Sequence, residues 1–299
     1  MADKAAARHS FTDPGFVLVD KPQGWTSHDV VGRTRRVLGT RKVGHSGTLD
    51  PLATGLLILG VNRSTRLLGY LTGADKEYVS DIRLGIGTHS DDADGDVVTT
   101  TDASHVTKAH IEEALTAFRG TISQVPSSVS AIKVDGRRAH ERVRAGEDVS
   151  LPPRDVTIYE CELLDFTPGT HPDIRIRVKC SSGTYIRSIA RDLGVALGVG
   201  GHVRTLRRTQ VGQFKVEEAV DIESFTETPI VQTPASIVSR LFETLELTSE
   251  EVTEVSFGRQ IQGRNFATAD LGAVLSSSGE FLALYKNAGT AISPVAVFA

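Results

Sequence analysis

The sequence predicts a mixed α/β protein of the α+β type, with a mixed, largely antiparallel sheet over residues 15–230 and a small β-rich unit over residues 235–299. Strand-like and helix-like segments do not alternate regularly, which argues against a doubly wound parallel sheet. Pro229 and Pro234 flank a predicted linker between the two units. With 299 residues, of which 39% are apolar, the chain can form about two packed domains and is not mainly disordered.

A strand and a helix open the folded part of the chain, after a tail at residues 1–14 that is predicted to be flexible. Residues 16–19 form an apolar run that ends in a turn. Thr26 and Asp29 have the spacing of a capping box, which predicts the start of a helix. One apolar helix face follows over residues 30–38, and a glycine ends it.

The later elements are predicted from apolar runs, strict alternation and helical spacing. They are a loop at residues 41–51, strands at 56–61, 78–84 and 174–180, helices at 111–118 and 185–197, and a hairpin at 273–285.

Composition excludes several classes of protein. The chain has no run of eighteen apolar residues, so no membrane-spanning helix is predicted, and its first residues lack the apolar core of a secretory signal. The two cysteines, Cys161 and Cys180, are too few for a disulfide framework or a four-ligand zinc site. They are predicted to be buried free thiols, as expected for a protein of the reducing cytoplasm.

The charge is strongly polarised, although the chain as a whole carries only −4. Residues 175–215 contain nine basic residues and one acid, a net charge of +8, whereas residues 216–299 carry −8. A basic stretch inside an acidic protein indicates a surface that faces phosphates. A solvated strand face followed by a polar helix explains the same composition, and composition alone does not decide between them.

Two motif-like segments carry little weight. The glycines near residues 39–42 and 198–201 lack the spacing of phosphate-binding loops. Residues 92–96 resemble half of a calcium loop, but the glycine is misplaced and the closing glutamate is missing. This acidic segment is predicted to be a surface turn.

The glycine-rich loop at residues 44–55 is a stronger candidate for a functional site. Its carboxylate, Asp50, stands between Leu49 and Pro51, immediately before an apolar run. Pro51 restricts Asp50 to an extended conformation, and the glycines allow close approach of a ligand. A carboxylate in such surroundings is a candidate nucleophile or base. From the residues alone, an aspartate that makes a turn hydrogen bond is the alternative, and the sequence pattern slightly favours it.

Six blocks in this sequence resemble the TruB-type tRNA pseudouridine synthases, in the order in which that family has them. The match covers most of the chain, and GHSGTLDPLATG is its most specific part. The blocks are VDKPQGWTSHDVV (19–31), RKVGHSGTLDPLATGLLILGV (41–61), DKEYVSDIRLG (75–85), SSVSAIKVDGRRA (127–139), CSSGTYIRSIARDLG (180–194) and GGHVRTLRRTQVG (200–212).

The resemblance implies an isomerase that converts the T-loop uridine of tRNA, at position 55, into pseudouridine after flipping the base out. It implies that Asp50 is the nucleophile, that Arg187 balances its charge, and that Tyr78 stacks on the target base and is a candidate for proton transfer at C5. A closed pocket requires such a counter-charge, because desolvation disfavours an ionised carboxylate.

The resemblance also implies residues that bind the substrate around this centre. Tyr185 and Leu206 match positions that line the nucleotide pocket, and His45 matches the histidine that enters the T-loop. Lys21 belongs to a Lys-Pro motif that supports the floor of the site. Arg41 and Lys42 suit phosphate contacts.

By the same resemblance, the fold is a pseudouridine synthase catalytic domain with a small PUA-like module at the C-terminus. The expected partner is the T-arm of tRNA, with no cofactor, no metal, no membrane and no small-molecule partner. A cytoplasmic monomer is expected, and help with tRNA folding can accompany catalysis.

Two alternatives remain open at this point. One is a non-catalytic RNA-binding or tRNA-folding module of the same fold, against which the presence of Asp50 argues. The other is an isomerase directed by guide RNA within a complex, against which the short chain and the lack of basic tails argue.

Overall fold

The fold is described from a computed structural model of the chain, which covers residues 11–129, 133–134, 136–138, 142, 147, 151–225 and 231–298. The described part contains six helices and two short 3-10 turns. The helices are α1 Ser27–Leu38, α2 Leu68–Gly73, α3 Lys108–Thr116, α4 Ile186–Ala196, α5 Pro234–Val238 and α6 Ser249–Ser256, and the 3-10 turns are Asn62–Leu67 and Val216–Glu218.

Nineteen strands are present in the same part of the chain. Those before residue 150 are β1 Gly15–Lys21, β2 Val43–Ser46, β3 Thr54–Val61, β4 Lys76–Leu84, β5 Ile86–Thr88, β6 Val97–Thr100, β7 Gly120–Gln124, β8 Lys133–Val134 and β9 Arg137–Arg138. Those after it are β10 Arg154–Thr167, β11 Asp173–Cys180, β12 Gly201–Val211, β13 Phe214–Lys215, β14 Val220–Asp221, β15 Glu243–Glu246, β16 Ile261–Gln262, β17 Leu271–Leu275, β18 Phe281–Ala288 and β19 Ala291–Val297.

A ten-stranded sheet dominates the molecule. Its main path runs β14-β1-β3-β12-β4-β11-β10-β7, while β13 pairs with β12 and β2 pairs with β3. Only the β1–β14 and β3–β12 pairs are parallel; the other pairs in this sheet are antiparallel. The predicted mixed, largely antiparallel sheet is therefore confirmed.

A five-stranded sheet in the order β15-β17-β18-β19-β16 forms the C-terminal unit. It contains the predicted hairpin, formed by β17 and β18. An apolar cluster joins the two sheets, because Phe16 and Ile58 of the large sheet share it with Ile237 of α5 and Leu284 of β18. The C-terminal unit is thus packed onto the outer part of the large sheet.

Helix α1 begins and ends as the sequence predicts. Thr26 accepts a hydrogen bond from the Asp29 amide, and the Asp29 carboxylate accepts one from the Thr26 amide, which completes the capping box. Gly39 closes the helix in the left-handed conformation, with φ of 65°. The buried face over Val30 and Leu38 fixes the helix against the large sheet, where it lies close to the 44–55 loop.

Two sequence predictions for the N-terminal region were wrong. The predicted loop at residues 41–51 contains strand β2, whose four residues pair with β3. The predicted flexible tail reaches too far, because the Phe11 amide donates to the Leu38 carbonyl at 2.9 Å and Asn62 donates to the carbonyls of Phe11 and Asp13. Residues 1–10 lie outside the described part of the chain.

The basic segment at residues 175–215 is not a free cationic surface. Arg175 bonds to Asp81 at 2.7 Å, and Arg177 bonds to Glu162 at 2.7 Å. Further bases in the segment also contact carboxylates, namely Lys179, Arg187, Arg191, Arg204 and Arg207. Acids from other segments therefore offset much of this positive charge, which favours the alternative of a solvated strand face followed by a polar helix. Among the described residues no helix is both long and apolar enough to cross a membrane.

Candidate active site

A cleft of about 330 Å³ opens where the 47–53 loop meets the start of β4, the middle of β12 and the N-terminus of α4. Five residues that the sequence predicts for one site line it together, although they come from four separate regions of the chain. They are Asp50, Tyr78, Tyr185, Arg187 and Leu206.

The backbone at Asp50 is held in place by hydrogen bonds that the residues before and after it make. The Ser27 hydroxyl, in the first turn of α1, bonds to both the amide and the carbonyl of Leu49. On the other side, the Gly24 amide donates to the Pro51 carbonyl at 2.8 Å. These contacts fix the backbone on either side of Asp50, while its own side chain remains 42% exposed and faces the cleft.

Arg187, one residue into α4, is the buried counter-ion of Asp50. Its Nη2 lies 2.8 Å from Oδ2 of Asp50, and its side chain is only 6% exposed. The same guanidinium donates to the carbonyls of Ser90 at 2.9 Å and Val129 at 2.7 Å, and Nη1 lies 3.4 Å from Oδ2 of Asp92. A planar guanidinium with so many fixed partners presents its charge to Asp50 in one orientation.

Asp92 is a site residue that the sequence analysis missed. The acidic segment was predicted to be a surface turn, yet Asp92 is only 6% exposed and shares Arg187 with Asp50. Ser90 donates to its carboxylate, and burial raises the pKa of Asp92 above its ordinary value. The signal in the sequence was the pair of adjacent aspartates, Asp91 and Asp92, shortly after the end of β5. The partner of Asp92, Arg187, lies almost one hundred residues away in sequence.

Tyr78 and Arg208 form the opposite wall, as neighbours on β4 and β12. Arg208 is 1% exposed and donates to the carbonyls of Leu56 at 2.7 Å and Gly47 at 3.1 Å. Burial raises the pKa of the Tyr78 phenol, and the positive charge of Arg208 acts in the opposite direction. The phenol is therefore protonated at neutral pH and can donate a proton or a hydrogen bond.

Lys21 lies beneath the loop and outside the cleft lining. It is fully buried, and its ammonium donates to the carbonyls of Trp25 at 2.6 Å, Pro22 at 2.9 Å and Pro51 at 3.4 Å. Burial lowers the pKa of Lys21 to about 8, against the opposing effect of Asp50. These contacts place Lys21 as a support for the residue that follows Asp50.

Tyr185 and Leu206 lie on the rim and wall of the cleft. Tyr185 is the N-cap residue of α4, and its amide and carbonyl both bond to the side chain of Gln124, at 2.8 and 3.1 Å. Leu206 is 8% exposed and belongs to β12, two residues from Arg208. Both side chains offer apolar surface to a ligand in the cleft.

The other predicted substrate contacts lie outside the cleft. His45 is on β2, edge-on to His28 with 5.7 Å between ring centres. Its Nδ1 is buried and has no hydrogen-bond partner among the described residues, and burial and His28 lower its pKa. Arg41 and Lys42 are exposed just before β2.

Comparisons with known proteins agree over most of the chain. Residues 35–186 match the family model described as "TruB family pseudouridylate synthase (N terminal domain)". Residues 187–246 match "tRNA pseudouridylate synthase B C-terminal domain", and residues 242–299 match "tRNA Pseudouridine synthase II, C terminal".

Curated relatives and solved structures extend this agreement. A protein of Arthrobacter sp. (strain FB24) named tRNA pseudouridine synthase B is 51% identical over 95% of this chain and 96% of its own length. A protein of Corynebacterium jeikeium with the same name is 47% identical over 99% and 97%. A solved structure of an H/ACA RNP bound to a substrate RNA containing 2'-deoxyuridine has a TM-score of 0.71 and 26% identity, over 95% of this chain and 85% of that chain. With three consecutive family models and full-length relatives at about half identity, the chain belongs to the TruB family of pseudouridylate synthases.

Proposed function

We propose that this protein isomerises the T-loop uridine of tRNA, at position 55, to pseudouridine. The observation that carries the proposal is the pair formed by Asp50 and the buried Arg187 at a cleft that can hold one nucleoside. The choice of tRNA as the substrate is supported by the curated relatives, which are named tRNA pseudouridine synthase B.

The reaction needs a carboxylate and no change of oxidation state. The C1′–N1 bond breaks, a C1′–C5 bond forms, the proton on C5 leaves to solvent, and N1 takes up a proton. Asp50 is the proposed nucleophile, and attack at C1′ or at C6 would use the same side chain. Arg187 supplies the opposite charge next to the Asp50 carboxylate when the RNA excludes water from the cleft. The proposal therefore includes no metal and no cofactor.

A base must leave the RNA stack to reach Asp50. We assign stacking on the flipped base to Tyr78, and apolar contacts to Tyr185 and Leu206, because all three line the cleft beside Asp50. We also assign the proton transfer at C5 to Tyr78, which lines the same cleft. Lys21 supports the loop from below.

The T-arm is the proposed docking partner around the cleft. His45 lies on the β2 side of the loop and is assigned to the space that the flipped bases leave. Arg41 and Lys42 are exposed beyond it and are assigned to phosphates, because the basic stripe on β11 is already neutralised. We propose that the protein acts as a monomer in the cytoplasm, where tRNA is found. We also propose that the boundary between its two domains lies at residues 230–235.

Guide-directed action within a complex is less well supported than action on tRNA. The solved H/ACA structure is 26% identical to this chain, whereas the relatives named for tRNA are 47–51% identical over nearly their whole length. A tRNA-folding role can accompany catalysis and shares the same binding surface.

The test is tritium release from unmodified tRNA transcribed with 5-³H-uridine, in the presence of EDTA. We expect one equivalent of tritium per tRNA, and no release from a matched transcript with cytidine at the T-loop position. Tight binding without release would replace the proposal with the folding-module alternative. Release that survives the cytidine substitution would contradict the assigned position.

A further inference from the structure

Three buried cations besides Arg187 surround the loop that carries Asp50. Lys21 is fully buried, Lys76 is 6% exposed and Arg208 is 1% exposed. Among the described residues, none of the three forms a salt bridge with a carboxylate. Buried charges in proteins are normally paired, because desolvating an ion is costly unless an opposite charge or hydrogen bonds replace the lost water.

The three cations differ in how many of their N–H groups are used by hydrogen bonds to the protein. Lys21 donates to three carbonyls, which uses all its N–H groups, and it does not line the cleft. Arg208 bonds to the carbonyls of Leu56 and Gly47, and so supports the loop. Lys76 donates to the carbonyls of Thr72 and Ala74, which accounts for two of its three N–H groups.

Lys76 is therefore a buried ammonium with one unassigned N–H group on the wall of the cleft. The aliphatic end of its side chain lies beneath Gly47, where a Cβ atom would be 3.9 Å from Lys76 Cε. Burial lowers the pKa of Lys76 to about 8, the positive charge of Arg208 acts in the same direction, and Cys180 and Asp75 oppose it. The Asp75 carboxylate itself accepts a hydrogen bond from Tyr159 at 3.2 Å.

The charges on the cleft wall do not balance without a ligand. Arg187 serves both Asp50 and Asp92, and Lys76 and Arg208 then leave a surplus of positive charge at the Tyr78 end. An ordinary structural role does not explain this surplus, because a neutral side chain would make the same carbonyl contacts at lower desolvation cost. A substrate anion that enters the cleft supplies the missing charge.

We propose that Lys76, backed by Arg208, is an anion subsite that binds a negatively charged oxygen of the flipped nucleotide. The inference rests on the proposed isomerisation. Two sources supply that oxygen: the phosphodiester next to the flipped uridine, or O2 and O4 of the uracil ring. The ring oxygens become negative when the C1′–N1 bond breaks and its electron pair stays on the base.

The test compares Lys76→Gln, which keeps hydrogen bonding and removes the charge, with Lys76→Arg, which keeps the charge. Lys108→Met on α3 removes an exposed lysine far from the cleft and is the matched control. Dissociation constants are measured in an Asp50→Asn background for a T-arm hairpin with uridine at the target, and for one with an abasic tetrahydrofuran there. Single-turnover tritium release is measured with Asp50 intact.

We expect Lys76→Gln to lose at least about tenfold in binding or in rate, Lys76→Arg to recover most of it, and Lys108→Met to match the unaltered protein. A loss of affinity for both hairpins identifies the phosphodiester as the source of the oxygen that Lys76 binds. A slower reaction with unchanged affinity identifies the departing uracil. The binding measurements do not depend on turnover, so they test the subsite even if the proposed reaction is wrong.

Thermal unfolding distinguishes a Lys76 that binds the anion from a Lys76 that only stabilises the fold. We expect the melting temperature of Lys76→Gln to equal or exceed that of the unaltered protein, because a buried charge has been removed. Affinity and rate within about twofold of the unaltered protein would overturn the proposal. So would a loss of activity that comes with a matching loss of stability, or one that Lys76→Arg does not relieve.

Discussion

Ser27 and Leu49 exchange two hydrogen bonds across 22 residues of sequence. The Ser27 hydroxyl donates to the Leu49 carbonyl at 3.0 Å and accepts from the Leu49 amide at 2.9 Å. Ser27 follows the N-cap residue of α1, and Leu49 precedes Asp50. The first turn of α1 is thus bonded directly to the residue that precedes the proposed nucleophile.

Ser27→Ala should lower the free energy of unfolding by about 1–3 kcal/mol, because the buried amide and carbonyl of Leu49 lose their partner. It should also slow single-turnover tritium release, since Asp50 is no longer held in one place. Urea denaturation and the release assay measure the two effects. Ser239→Ala removes an exposed hydroxyl hydrogen bond at the C-cap residue of α5 and is the control. An unchanged rate in Ser27→Ala would refute a role of this contact in positioning Asp50.

Gly55→Ala should destabilise the protein by about 1–3 kcal/mol or more. Gly55 has φ of 102°, and a Cβ there would lie 2.2 Å from the carbonyl oxygen of Arg208, where β3 meets β12. Gly69→Ala, in an exposed turn of α2 with open space around it, should instead stabilise by up to about 1 kcal/mol. Denaturation curves that do not distinguish the two variants would contradict this account of the β3–β12 contact.

Arg187→Met should abolish measurable tritium release and cost about 3–5 kcal/mol of stability, because Asp92 is left buried without its counter-ion. Arg175→Met removes an exposed pair with Asp81 on β11 and should change stability by less than about 1 kcal/mol. Single-turnover release and urea denaturation on both variants check this. Normal release by Arg187→Met would remove Arg187 from the mechanism.

The two thiols should make stability fall at alkaline pH. Burial raises the pKa values of Cys161 and Cys180 from 9.0 to about 11. Between these values the unfolded chain has released protons that the folded chain retains, so the free energy of unfolding falls as pH rises. The stabilisation is fully present below pH 9 and amounts to about 3 kcal/mol per thiol.

Urea denaturation at pH 8 and pH 10.5 measures this effect. Cys161→Ala and Cys180→Ala should each show a smaller loss between the two pH values than the unaltered protein. The comparison uses the change in the free energy of unfolding between the two pH values, so any effect of altered packing at the substituted position cancels. Equal slopes in all three proteins would show that the thiols ionise alike in the folded and unfolded chain.

Local patterns predicted several of the elements well, although strand β2 inside the predicted 41–51 loop was missed. The capping box at Thr26, the glycine that ends α1 and the alternation in β11 each depend on neighbours in sequence, and each was confirmed. Both cysteines are buried and free, as predicted. The family resemblance then named residues from five regions, and five of these residues, from four of the regions, share one cleft.

Long-range charge pairing could not be predicted from the sequence. The bases on β11 face acids that β4 and β10 contribute, and composition does not reveal strand order. Asp92 was missed for the same reason, since nothing near it in sequence shows that Arg187 reaches it. Lys76 was also missed, because its burial follows from packing against Arg208 and the loop at Gly47.

The most direct test of the central claim replaces Asp50 and keeps everything around it. Asp50→Asn is nearly isosteric and can still accept a hydrogen bond from Arg187, but it cannot act as a nucleophile. Single-turnover tritium release and tRNA binding should be measured on the same preparations as the unaltered protein. We predict no release by Asp50→Asn, with the dissociation constant for tRNA within about threefold of the unaltered value. Pseudouridine formed by Asp50→Asn would contradict the assignment of the nucleophile and the mechanism built on it.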